Sequence, residues 1–423
     1  MHVHSHFSFG QGPSHPESLV AAAAARGFDA LACTDTNGVY GAVEFQRAAE
    51  SAGIRPILGA HLVYGREECV ALAEDERGWG TLCRAISAIH WAEGRTGGRA
   101  DEAPMPIGGP PSPRMRRGGQ GERRNEGEWL LSSAFIDRTG LCVLSNDIAL
   151  LERLARTSGT AGLYAELRPG KARHAVLAAA TRLGVPPVVT GAVMFAHPEE
   201  WTTHRLLAAI AANAPLSSCP PALLSPRDAW LRPTAELARH FPDRPDAIDR
   251  AGEIADRCRY RIPIGRTVPP RTQDVAESFQ KLHALAYDGA QRRYGTVAPF
   301  VRDRIEHELA IIGMKEFADY FLVVHDIVTH GPTHCGRGSV ANSVVSYCLG
   351  ITHVEPLGAG LLFERFLNPE RKDPPDIDLD FPWDERDQVL AYVFKKYPHP
   401  RAAMVANHNT FQPRGALRAV AIA

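Results

Sequence analysis

Short apolar runs alternate with helical patterns along the first half of this chain, and that rhythm restricts the folds open to it. Leu19 to Arg26 is alanine-rich and helical, and Ala30 to Thr34 is a short apolar strand. Ala42 to Ala52 is helical again, and Arg55 to Leu58 is the next strand. The alternation returns at Leu141 to Leu144 and runs to Pro187 through Thr190. Strands separated by helices pair with parallel neighbours and need cover on both faces, so the rhythm predicts βα units forming a parallel sheet or barrel. Between these stretches, a segment rich in Gly, Pro and Arg reads as a disordered surface insertion over 93–127. Further on, 235–258 is helical with a break at Pro242 to Pro245, and 262–272 carries three prolines and reads as a link between domains. Residues 275–294 and 299–312 are helical.

Composition matters here for what it excludes. The chain has 423 residues, 44% hydrophobic and 22% charged, which allows two or three ordinary globular domains. Its net charge of -1 gives no global basic signal, so any contact with nucleic acid must come from local clusters. No apolar run approaches the ~20 residues that span a bilayer, so no membrane association is expected. The start, Met1-His2-Val3-His4-Ser5-His6, lacks the basic-then-apolar pattern of a secretory signal. The eight cysteines are scattered, with no Cys-x-x-Cys pair, and read as buried thiols of a cytoplasmic protein.

Two motifs in the second half carry chemistry. Gly336-Arg337-Gly338-Ser339 precedes an apolar stretch ending at Gly350, which reads as a turn leading into a helix with a glycine cap. Glycines let backbone approach a ligand, and the N–H groups of a helix start favour an anion. Ser339 adds a hydroxyl and Arg337 a charge. The second motif is Asp376-Ile377-Asp378-Leu379-Asp380. Side chains alternate along a strand, so the three carboxylates share a face, where a hard cation such as Mg²⁺ relieves their repulsion. Ile377, Leu379 and Phe381 point the other way, into a core. Between the motifs, Arg365 and Arg371 either pair with neighbouring acids or neutralise phosphates. At the amino end, His2 and His4 fall on one face of a strand, a spacing that suits Zn²⁺ or Mn²⁺, or else form a solvated pair. Asp35 closes a strand, the position of the active rim in an α/β barrel, and His61 follows at another strand end.

The run from Gly336 through Asn342-Ser343, Phe363 to Arg371 and Pro375 to Phe381 resembles the palm of bacterial C-family DNA polymerases, the DNA polymerase III alpha (DnaE-type) family. Gly331 to Cys335 and Met404 to His408 resemble its error-prone, damage-tolerant branch. The resemblance extends over essentially the whole chain. It implies an α/β architecture with an N-terminal distorted βα barrel, the PHP (polymerase and histidinol phosphatase) domain, over 1–220. A helical connector over 221–272 and an incomplete polymerase-β-like nucleotidyltransferase palm over 273–423 would follow. It assigns Asp376 and Asp378 as catalytic ligands of Mg²⁺, and Arg337, Gly338, Ser339, Arg365 and Arg371 as triphosphate contacts. Asp380 matches no catalytic position. The family's third aspartate falls beyond residue 423, so the chain reads as an N-terminal fragment inactive alone. The implied partners are primer-template DNA, dNTPs, the sliding clamp and damage-response accessory proteins.

The same resemblance places His2, His4, Asp35 and His61 in a degraded PHP site. Thr36 stands where a His is common, His61 where a Glu is usual, and Gly191 to Met194 replace an Asn-Asp-x-His motif. Losing several ligands should cripple a metal cluster, so the expectation is a structural PHP domain, its Zn²⁺ or Mn²⁺ in doubt. Two other readings stand beside the polymerase: a PHP-type metal-dependent phosphoesterase and a non-catalytic scaffold.

Overall fold

A computed structural model describes all residues except 95–129, 267, 332, 372–373, 399–400, 406 and 409. The insertion expected over 93–127 begins at the end of the helix Glu76–Gly94 and otherwise lies outside the described residues. The chain forms two compact units, Met1–Ile262 with Ala406–Ala423, and Pro263–Val405.

The first unit is built on six strands in sequence order: β1 (Ala30–Cys33), β2 (Arg55–Tyr64), β3 (Glu67–Ala73), β4 (Leu141–Ser145), β5 (Leu163–Leu167) and β6 (Pro187–Val189). The β1–β2, β4–β5 and β5–β6 pairs are parallel, as the βα rhythm requires. The β2–β3 and β3–β4 pairs are antiparallel. β2 is long because it serves two neighbours, pairing Arg55 to Leu58 with β1 and Gly59 to Tyr64 with β3. Gly59 sits at the changeover, where an added Cβ would lie 2.4 Å from the Ala71 carbonyl.

Residues 2–4 carry the ring beyond β1. Thr34 N–H donates to the Val3 carbonyl at 2.8 Å, and His4 and Val193 N–H donate to the Val193 and His2 carbonyls at 2.9 Å each. His2 to His4 therefore bridge the β1 edge to the segment after β6, which curls the sheet toward a barrel. Each of the three residues is only 2% exposed, so this is no frayed terminus.

Alternate residues of the curled sheet face opposite cores. One face buries Ile57, Val70, Leu72 and Leu144 with Ile254 and Ala255. The last two lie on the helix Pro245–Arg257, so part of the stretch read as a connector packs within the first unit. At roughly 1.5–3 kcal/mol for each fully buried large aliphatic side chain, this face is a substantial part of what holds the sheet.

The second unit is mainly helical. Val275–Tyr294, Pro299–Met314 and Ala318–His330 pack around Leu282, Ile305, Leu309, Phe321 and Phe366. Among the described residues its sheet has two antiparallel strands, β7 (Cys335–Arg337) and β8 (Asp378–Asp380). Two expectations change here. The helix after the turn is split into a 3-10 turn, Gly338–Asn342, and a short helix, Val344–Cys348. Ser343 interrupts it because its Oγ accepts from Ser346 N–H, the competition with the helix ladder that makes serine a cap. The acidic strand is shorter than the motif, with Asp376 and Ile377 outside it.

Candidate functional site

In the second unit, the β7–β8 ribbon sets Arg337 opposite Asp378 and Gly336 opposite Leu379. Each turn glycine has its own reason. A Cβ on Gly336 would lie 2.1 Å from the Ile351 carbonyl, and Gly338 adopts φ +77, a left-handed conformation costly for other residues. Arg337 reaches across the ribbon, with Nε 2.9 Å from Asp380 Oδ2 and Nη1 3.4 Å from Asp378 Oδ2. The hydrogen bond to Asp380, then the fields of Asp380, Asp378 and Asp376, raise its pKa. Ile377 and Leu379 pack against the apolar core, which turns the aspartates outward.

Beside the ribbon lies a cleft of about 430 Å³ lined by Gly338, Ser339, Ala341, Asn342, Leu361 and Arg365. The structure thus brings Arg365 to the turn. It places Arg371 otherwise, its Nη1 donating to the Phe366 carbonyl at 2.8 Å. Asp376 is exposed just ahead of β8.

Sequence reasoning missed the pair that fixes this cleft. Glu308 is fully buried and accepts hydrogen bonds from Ser343 Oγ (2.8 Å) and from the N–H groups of Val344 and Val345 (3.0 Å each). Arg304 Nε donates to it at 2.8 Å, while Nη2 donates to the carbonyls of Asn342 and Leu361 at 3.1 Å each. One ion pair therefore ties the turn to the opposite cleft wall. Burial raises the Glu308 pKa against the pull of these donors. The available signal was a glutamate between Ile305 and Leu309 on the apolar helix face.

In the first unit, His2, His4 and His61 come together, their ligand nitrogens within 4.8 Å of one another. His2 Nδ1 lies 2.8 Å from Glu166 Oε1, and the Nε2 atoms of His2 and His4 are 2.9 Å apart. His4 Nδ1 lies 2.9 Å from Ser8 Oγ. Burial, with lesser contributions from neighbouring charges, lowers the His2 pKa to about 4 and that of His4 well below its ordinary value. Neither ring nitrogen of His61 has a hydrogen-bond partner among the described residues. Its Nε2 is 3.7 Å from Glu68 Oε1, within ion-pair reach and beyond a hydrogen bond.

Asp35 does not join them. It lies two residues past the end of β1, and its carboxylate accepts from Ser5 N–H (2.7 Å), Ser5 Oγ (2.8 Å) and Ser8 Oγ (2.7 Å), organising the loop after the histidines. Arg168 was also missed. Its Nε donates to Glu166 Oε2 at 2.8 Å and its Nη1 lies 2.7 Å from Glu68 Oε1. Burial opposes the charge of Glu166 and of half-buried Arg168. Even so, the mutual attraction of Glu166 and Arg168 leaves the carboxyl well below its usual range and the guanidinium pKa raised.

Comparison with known proteins matches a different family to each end of the chain. Residues 1–105 match the PHP domain family, and residues 280–423 match the family described as the bacterial DNA polymerase III alpha NTPase domain. The chain is 37% identical over 447 residues to an error-prone DNA polymerase of Symbiobacterium thermophilum. It is 36% identical over 453 residues to one of Mycobacterium tuberculosis H37Rv, and 36% identical over 435 residues to one of Methylococcus capsulatus. The alignments cover 99%, 100% and 100% of this chain but 40%, 40% and 39% of the relatives. The chain thus spans about 40% of the length of the curated relatives it matches. The amino end of the chain thus carries a PHP domain, and residues 280–423 carry a bacterial DNA polymerase III alpha NTPase domain. The relatives that match it from end to end are named error-prone DNA polymerases.

Proposed function

We propose that this chain carries the triphosphate-binding part of an error-prone DNA polymerase, which adds dNTPs to a primer 3′-hydroxyl in repair or translesion synthesis. The observation that carries the reading is the β7–β8 ribbon, which sets Asp378 and Arg337 beside the cleft lined by Ser339 and Arg365. Ser339 and the turn offer a hydroxyl and backbone N–H groups to phosphate oxygens, and Arg365 offers charge. Arg337 leaves the carboxylates when a triphosphate enters, since its ion pairs are exposed and screened by water.

Exposed carboxylate oxygens are the hard donors magnesium takes, and Arg337 already shows that positive charge is stabilised at this place. Asp376 and Asp378 would hold the ion, which when bound supplies Lewis-acid polarisation of the phosphate and of the attacking hydroxyl. Under this reading the partners are primer-template DNA and dNTPs. Sliding clamp and damage-response proteins follow from the family resemblance, as does a cytoplasmic location. Among the described residues, no helix is long and apolar enough to cross a membrane. The phosphoesterase alternative is weaker, because Asp35 serves its loop and Glu166 is held by Arg168.

Calorimetric titration of dNTP and Mg²⁺ into the 423-residue chain tests the proposal. Binding should require Mg²⁺, weaken in Arg365→Ala and lose its metal dependence in Asp378→Asn. Binding indifferent to both substitutions would overturn it.

A further inference from the structure

The hydrogen-bond chain around the three histidines assigns its own protons. Glu166 Oε1 accepts from Thr190 Oγ1 at 2.5 Å and lies against His2 Nδ1, so His2 carries its proton on Nδ1. Ser8 has a single hydroxyl proton. The 2.7 Å contact to the Asp35 carboxylate takes it, and Thr36 N–H also points at the Ser8 oxygen at 3.1 Å. Thr36 Oγ1 is farther from His4 Nδ1, at 3.4 Å, so His4 donates from Nδ1 to Ser8 at 2.9 Å. Both Nε2 atoms are left bare, facing each other at 2.9 Å, with His61 beside them and its own ring nitrogens without partners among the described residues. Facing lone pairs repel unless a cation lies between them. The donors that orient His2 and His4 through Nδ1 are the kind that orient metal-bound imidazoles.

The carboxylates nearby are not free for further ions. Glu166 and Glu68 are bridged by the Arg168 guanidinium, and Asp35 is bound by its loop. A bridging cation tethered to the chain removes the charge that a second metal would need.

The geometry points to a single-ion centre. One borderline-soft divalent cation such as Zn²⁺ is held by His2, His4 and His61, and Arg168 takes the place of any additional metal. The histidines present fit that ion, whereas a multinuclear centre has no free carboxylates to draw on. This site belongs to the first unit and the acidic ribbon to the second, and its fate leaves the polymerase reading untouched.

Metal analysis of the purified 423-residue chain tests the inference, with excess Mg²⁺ present to occupy exposed carboxylates. One equivalent of Zn²⁺ should remain after gel filtration. Cobalt substitution should give the visible bands of tetrahedral, nitrogen-rich coordination. His61→Ala should lose both signals while retaining its circular dichroism and the unfolding midpoint of the metal-stripped wild type. Arg168→Met should free Glu166 and Glu68 and raise the stoichiometry to two, while Arg168→Lys should stay at one. A folded wild-type chain that binds no Zn²⁺, or more than one, overturns the inference. So does a folded Arg168→Met chain that stays at one.

Discussion

Glu308 shows how a single buried charge can organise a site it does not enter. Its carboxylate holds the start of the helix Val344–Cys348, and its partner Arg304 holds the carbonyls of Asn342 and Leu361. Removing one member of such a pair leaves the other charge buried and uncompensated, a loss of about 3–5 kcal/mol. Glu308→Ala should therefore lower the stability of the second unit by that order in denaturant unfolding. Glu308→Gln, which keeps one acceptor, should lose less. Gly338 acts through its backbone alone. At φ +77, Gly338→Ala should cost about 1–2 kcal/mol and weaken dNTP binding without unfolding the unit, as calorimetry on the purified variant would read. The turn glycine was legible in the sequence, whereas Glu308 and Arg304 were not, because Ser343 and Leu361 lie 35 and 57 residues from them. The direction of Asp35 was not, because Ser5 and Ser8 lie 30 and 27 residues away in sequence.

Among elements, the β7–β8 ribbon holds its acids and its arginine in register on one surface. Arg337 is 59% exposed, and exposed ion pairs add little to stability. Arg337→Ala should leave the unfolding midpoint nearly unchanged while reducing triphosphate affinity, and a large midpoint shift would show that the pairing is structural. The helix Trp201–Ala212 is tied down differently. His204 is fully buried, with Nδ1–H donating to the Gln11 carbonyl at 2.7 Å and Nε2 accepting from Ser225 N–H at 2.9 Å. Both nitrogens are used by the neutral ring, and burial lowers its pKa from 6.5. Below about pH 6.5 the unfolded chain takes up a proton that the folded ring refuses. Stability from this residue is therefore complete above that pH and lost as pH falls, by at most about 1.4 kcal/mol per unit. Denaturation midpoints at several pH values should fall less steeply on acidification for His204→Gln. Buried His2 and His4 have the same sign, so some acid sensitivity should remain.

For the whole molecule, the βα rhythm revealed the parallel pairs because each strand there is followed by its covering helix. β3 escaped it. Glu67–Ala73 returns directly from β2 through Gly65 at φ +61, so no helix marks it, and its apolar run reads equally as buried strand or buried helix. The helix Pro245–Arg257 was seen, but its burial against the sheet was not, since long-range packing leaves no local period. Each unit has its own core, and the pairs predicted to matter lie within single units. Hydrogen exchange should report this separation. Glu308→Ala should speed exchange in Pro299–Met314 and Val344–Cys348 while leaving β2 to β5 as in the wild type. His204→Gln should do the reverse, loosening the helix Trp201–Ala212 and sparing the second unit. Matching acceleration in both units from either substitution would mean that they unfold as one cooperative body.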